Sequence, residues 1–118
     1  MNIATLNWGD LTPELFLAQY WQKKPLLIKQ AFKGFEDTIT ADELAGLAME
    51  TEIESRIVSV NNHGDWQVDH GPFEDFSQYG ESNWTLLVQA VNNWSRPTNN
   101  LLTPFSFIPR WRIDDVMV

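Results

Sequence analysis

Arg56-Ile57-Val58-Ser59-Val60-Asn61-Asn62-His63-Gly64-Asp65-Trp66-Gln67-Val68-Asp69 is the stretch that decides the fold class. Ile53 to Val60 reads as a strand centred on Arg56–Val60, rich in the β-branched residues that suit a pleated surface. Asn61 to Asp65 supplies the Asn, Gly and Asp that tight turns draw on. Trp66-Gln67-Val68-Asp69 then alternates again, so the spacing predicts a β-hairpin.

Outward from the hairpin, helix signals appear. Thr12 can cap, Pro13 suits a first helical position and Glu14 complements the dipole, so a helix is expected after Leu11. Leu15, Phe16, Tyr20 and Trp21 form its apolar stripe, and Gln22-Lys23-Lys24-Pro25 closes it. Leu26-Leu27-Ile28 is a short buried-strand candidate. Thr40-Ala41-Asp42-Glu43 is a capping box, predicting a second helix through about Met49 with Leu44, Leu47 and Ala48 on one face. After the Gly71-Pro72 break, Ser82 can cap a third helix. In it Trp84, Leu87, Val88 and Val91 recur at i, i+3, i+4 and i+7, and Arg96-Pro97 ends it. The expected class is α+β, with no internal repeat, linker or low-complexity tract.

The closing run, Phe105-Ser106-Phe107-Ile108-Pro109-Arg110-Trp111-Arg112-Ile113-Asp114-Asp115-Val116-Met117-Val118, builds into an apolar strand with no turn residue after it. A terminal strand needs neighbours, so the expectation is the front of a longer protein. An unpaired edge over Ile113–Val118 would then be a template for self-association.

Composition narrows the function classes. At 118 residues the chain holds one domain or a large piece of one, and 43% hydrophobic residues with 13% aromatics can bury a core. Sixteen acids against eight Lys and Arg give a net charge of -8. That argues against direct nucleic-acid binding, which needs a basic face to displace counterions, and fits a basic protein partner. With no Cys, disulfides and thiolate sites are impossible. Met1–Asp10 lacks the basic start and apolar stretch of a signal peptide, and no apolar run approaches the roughly 20 residues of a membrane span. A cytoplasmic location is expected, with no membrane association.

Few residues point to chemistry. His63-Gly64-Asp65 is a literal His-x-Asp, two of the three ligands of a facial iron triad, but it lies where turn conformation already explains Gly and Asp. Asp69-His70 sets a carboxylate beside an imidazole, yet adjacent strand residues point to opposite faces. Trp84, Trp94, Phe105, Phe107 and Trp111 are expected to be core rather than a base-stacking platform. Asp114-Asp115 stands out. Two consecutive acids in an apolar strand put one carboxylate on each face, and a covered carboxylate wants a cation, from Arg110, Arg112 or a substrate guanidinium.

Five stretches together resemble the bacterial ribosomal oxygenases, cupin-like members of the JmjC group. They are Trp21-Gln22-Lys23-Lys24-Pro25-Leu26-Leu27-Ile28-Lys29, Asp42-Glu43-Leu44-Ala45-Gly46-Leu47-Ala48, Trp66-Gln67-Val68-Asp69-His70-Gly71-Pro72-Phe73, Trp84-Thr85-Leu86-Leu87-Val88-Gln89-Ala90-Val91-Asn92 and Trp111-Arg112-Ile113-Asp114-Asp115-Val116-Met117-Val118. The resemblance spans essentially the whole chain. It implies a 2-oxoglutarate- and Fe(II)-dependent dioxygenase that hydroxylates an arginine of a large-subunit ribosomal protein. It also implies that residues 1–110 are an N-terminal cap and 111–118 the first strand of a double-stranded β-helix. In that family the iron pair, the distal His and the co-substrate pocket follow this strand, so none of the catalytic, cofactor or metal residues is expected in this chain. Asp114 is the implied partner of the substrate guanidinium; strand alternation leaves the face of Asp115 open, and Met117, two residues on, is implied to line the same cleft. The competing expectation is a stand-alone adaptor module whose six Trp serve as docking surface.

Overall fold

The computed structural model describes residues 5–118; the signal-peptide reading of Met1–Asp10 lies, in its first four positions, outside them. Two compact units emerge, one from residues up to Glu36 together with Asn100–Ile113, the other from Asp37–Asn99 with Asp114–Val118. Among the described residues, no helix is long and apolar enough to cross a membrane.

The second unit is built on the predicted hairpin. β1 (Ser55–Val60) pairs antiparallel with β2 (Trp66–His70), Val58 opposite Val68 and Val60 opposite Trp66. Asn61 organises the turn: its Oδ1 accepts the backbone N–H groups of His63 and Asp65, each at 2.9 Å. Gly64 takes φ +82°, a conformation that costs a residue without Cβ little. β3 (Trp84–Val88) pairs with the other edge of β1, giving the order β2-β1-β3.

Helix α2 (Ala41–Ala48) carries the predicted capping box, in which Thr40 Oγ1 accepts the Glu43 N–H at 3.1 Å and Glu43 Oε1 accepts the Thr40 N–H at 3.3 Å. The core joins Ala48 of that helix to Ile53, Ile57, Phe73, Val88 and Val91. Thr98, in the single turn α3 (Arg96–Asn99), is also fully buried, and its hydroxyl meets that of Thr38 at 2.7 Å.

The first unit is aromatic. α1 (Pro13–Gln19) starts as expected, Thr12 Oγ1 accepting the Leu15 N–H at 3.1 Å. Phe16 of α1 packs against Trp8, Tyr20, Trp21 and Phe107, with ring centroids 5.7 to 6.4 Å apart. Residues Asn100–Phe105 and Arg110–Arg112 form tight 3₁₀ turns.

Five expectations need correction. Trp84–Val88 is a strand, not the start of a third helix: Leu86 and Val88 lie opposite Ile57 and Ser55, so the apolar run has a period-2 face as well as a helical one. Ala90 at φ +53° then breaks any continuation. Leu26-Leu27-Ile28 forms no strand, and Leu27 is 81% exposed. Residues 110–112 are a 3₁₀ turn, so the extended segment begins only after them. That segment is not an unpaired edge either, because Val116 and Val118 bond to β3 and the turn after it. Finally, Trp94 and Trp111 are surface residues, 52% and 81% exposed, rather than core.

Candidate substrate-recognition site

Residues 114–118 run alongside the end of β3. Val88 and Val118 exchange backbone hydrogen bonds, the Val91 N–H donates to the Val116 carbonyl at 2.9 Å, and the Val116 N–H donates to Asn92 Oδ1 at 2.9 Å. This ladder holds the Asp114–Asp115–Met117 constellation in place. Asp115, half-buried, accepts from Gln89 Nε2 at 3.2 and 3.4 Å. Met117 is 44% exposed, and its sulfur lies 3.6 Å from Arg56 Nη2. Asp114 is exposed and takes no hydrogen bond from the described residues. The alternation expected of a strand therefore separates the two acids: Asp115 engages a neutral amide, while Asp114 keeps its acceptor capacity for something else.

Arg112, one cation considered for these acids, instead lies over the Trp111 and Trp21 rings at 5.4 and 5.8 Å. Guanidinium groups stack well on indole faces.

A second polar constellation lies beside β2. Tyr79 donates its hydroxyl to Asp69 Oδ2 at 2.9 Å, and Gln67 Nε2 donates to Oδ1 at 3.0 Å. The Gln67 and Tyr79 bonds hold the Asp69 carboxyl below the usual carboxylate range. Burial, followed by the bond to Asp69, pushes the Tyr79 phenol above its ordinary value. Gln67 and Asp69 are two apart on a strand and share a face, which the sequence could have signalled. Tyr79 arrives from a separate 3₁₀ turn, Ser77–Tyr79, and carried no such signal.

His63 and Asp65 both sit exposed in the hairpin turn, and His70 is at the far end of β2. Among the described residues, no group of three or more His, Asp or Glu converges to hold a metal ion. The donor set present does not fit an iron site.

Comparison with known proteins places the chain. No family model matches it. It is 55% identical over 114 residues to the ribosomal protein uL16 3-hydroxylase of Escherichia coli K12, and 36% identical over 110 residues to a probable ribosomal oxygenase of Haemophilus influenzae. These matches cover 97% and 92% of this chain but only 29% and 27% of those relatives. The solved structure of YcfD, a ribosomal oxygenase from E. coli, superposes with a TM-score of 0.89 at 52% identity, covering 98% of this chain and 31% of that one. YcfD has also been solved with cobalt and 2-oxoglutarate, where the TM-score is 0.87 at 53% identity over 97% of this chain and 30% of that one. The chain is thus homologous to the ribosomal oxygenases over a stretch that makes up under a third of their length.

Proposed function

We propose that this chain is the N-terminal portion of a 2-oxoglutarate- and Fe(II)-dependent dioxygenase that hydroxylates an arginine of a basic large-subunit ribosomal protein in the cytoplasm. The observation that carries the reading is 55% identity over 114 residues to a uL16 3-hydroxylase. Residues 1–110 would form the cap, and the extended segment that follows the 110–112 turn would lead into a double-stranded β-helix core. Iron and 2-oxoglutarate supply the oxidising chemistry in such enzymes, and their ligands would come from residues outside this chain.

What this chain contributes is recognition. Asp114 is held on an extended, hydrogen-bonded segment with its carboxylate uncommitted. A substrate guanidinium, planar and always charged, can meet such a group with two parallel hydrogen bonds. Asp115 and Met117, on the opposite face and steadied by Gln89 and Arg56, would hold in place the segment that presents Asp114. The net charge of -8 favours approach of a basic substrate.

A chimera tests the reading: this chain replaces the matching stretch of the E. coli relative and is given a uL16 peptide. Mass spectrometry should find one added oxygen on arginine. A folded, metal-loaded chimera that leaves the peptide unmodified would refute it. The exposed Trp66 and Trp94 of the second unit favour the second reading, an adaptor surface, which predicts protein capture without hydroxylation.

A further inference from the structure

We infer that the polar cleft beside β2, floored by Asp69, binds the guanidinium side chain of a basic partner polypeptide. This goes beyond the proposed hydroxylation and does not rest on it. The cleft measures about 660 Å³ and is lined by Ser59, Gln67, Asp69, Tyr79, Ser82 and Asn83 among others. That volume lies within the range of ordinary ligand pockets and exceeds what a bare guanidinium fills.

The chemistry of the lining selects the ligand. Neither Lys nor Arg contributes to it, and His70 at the end of β2 is its one basic side chain, so the lining carries no permanent positive charge to hold an anion. Asp69 is its one carboxylate, kept ionised and fixed in orientation by Gln67 and Tyr79. Those two donors satisfy only part of a carboxylate's acceptor capacity of about four lone-pair sites. The hydroxyls of Ser59 and Ser82 and the amide of Asn83 make no hydrogen bond with the described residues. A guanidinium brings five donors in a fixed fork, which needs several acceptors spread around one carboxylate; an ammonium needs fewer. The Phe73 and Tyr79 rings line the same cleft and suit a planar cation.

Backbone placement supports a polypeptide as the carrier. β2 is the outer strand of the order β2-β1-β3. The Gly71 N–H bonds to the Ser55 carbonyl and the Asn61 N–H to the Asp65 carbonyl. In the observed register the inward-bonding β2 residues are therefore Gln67 and Asp69. Trp66, Val68 and His70 consequently turn their N–H and C=O groups outward, where an extended segment can add as a further strand.

The test is a nitrogen-15 amide NMR titration of the full chain with acetyl-Gly-Arg-Gly-amide and with its lysine counterpart. The arginine peptide should give saturable shifts at Gln67, Asp69 and Asn83, and bind more tightly than the lysine peptide. Asp69→Asn should weaken it by roughly tenfold, the loss of a charge-assisted bond, while Asp65→Asn in the turn leaves it unchanged. Ser82→Asp, an exposed change that adds a second carboxylate at the rim, should tighten binding. Absence of saturable shifts, equal affinity for the two peptides, or indifference to both Asp69→Asn and Ser82→Asp would overturn the assignment.

Discussion

Val88 and Val118 exchange two backbone hydrogen bonds, Val88 N–H to the Val118 carbonyl at 2.7 Å and Val118 N–H to the Val88 carbonyl at 3.0 Å. Val88 is fully buried, as is Val91, whose N–H bonds to Val116. The sequence predicts an unpaired edge over Ile113–Val118 that templates self-association. The pairing shows that this segment instead covers the outer edge of β3. Deleting residues 114–118 removes the partners of the Val88 and Val91 N–H groups, at about 0.5–1.5 kcal/mol for each hydrogen bond lost, and uncovers the outer edge of β3. The shortened chain should melt at lower temperature, lose hydrogen-exchange protection at Val88 and Val91, and associate more strongly in light scattering.

The Asp69 carboxyl gives a pH signature. Its folded pKa is depressed, so the stability it contributes is present above the ordinary carboxylate value of about 4 and is lost as pH falls through the lower folded value. Tyr79→Phe removes one of the two side-chain donors and should move the Asp69 carbon-13 carboxyl titration upward. The Tyr79 phenol is raised, so its contribution is intact below about pH 10 and fades as pH rises through the folded value. An Asp69 titration unmoved in Tyr79→Phe would show that the hydrogen bond does not act in solution.

Gly71 is the glycine with the least room. A Cβ there would collide with the Ser55 hydroxyl and come within 3.2 Å of the Phe73 ring. Both neighbours are buried, at 3% and 7% exposure, so neither can swing away. Gly71→Ala should cost about 1–3 kcal/mol, the usual range for overpacking, measurable by urea denaturation. Gly46→Ala, where nothing lies within 4 Å, is the matched control and should be neutral or stabilising.

The elements that sequence revealed are those whose signal is local. Thr12-Pro13 and Thr40–Glu43 carry helix starts in a few adjacent residues, and Asn61–Asp65 carries the hairpin turn, so all three were legible. Trp84–Val88 was not, because its apolar positions satisfy helical and strand periods alike and only the pairing with β1 decides between them. The same holds for the sites. Asp114-Asp115 stands out as paired acids in an apolar run, whereas the Asp69–Tyr79 bond joins residues ten apart on different elements, which no spacing rule anticipates.

The two acids of the closing segment should separate recognition from stability. Asp115 is half-buried and bonded to Gln89, so Asp115→Ala removes a structural hydrogen bond and should cost about 0.5–1.5 kcal/mol in denaturation. Asp114 is exposed and without a bond among the described residues, so Asp114→Ala should leave the melting temperature nearly unchanged. Its effect should instead appear in the chimeric hydroxylase. There a substrate guanidinium would desolvate the carboxylate, and losing one member of such a pair typically costs about 2–5 kcal/mol in binding the transition state. Asp114→Ala should therefore cripple hydroxylation of an arginine peptide while uncoupled turnover of 2-oxoglutarate persists. Asp114→Asn, which keeps the shape but not the charge, should recover little. If Asp115→Ala abolishes hydroxylation in a protein of unaltered stability and Asp114→Ala does not, the substrate meets the Gln89 face and the assignment of the two acids is reversed.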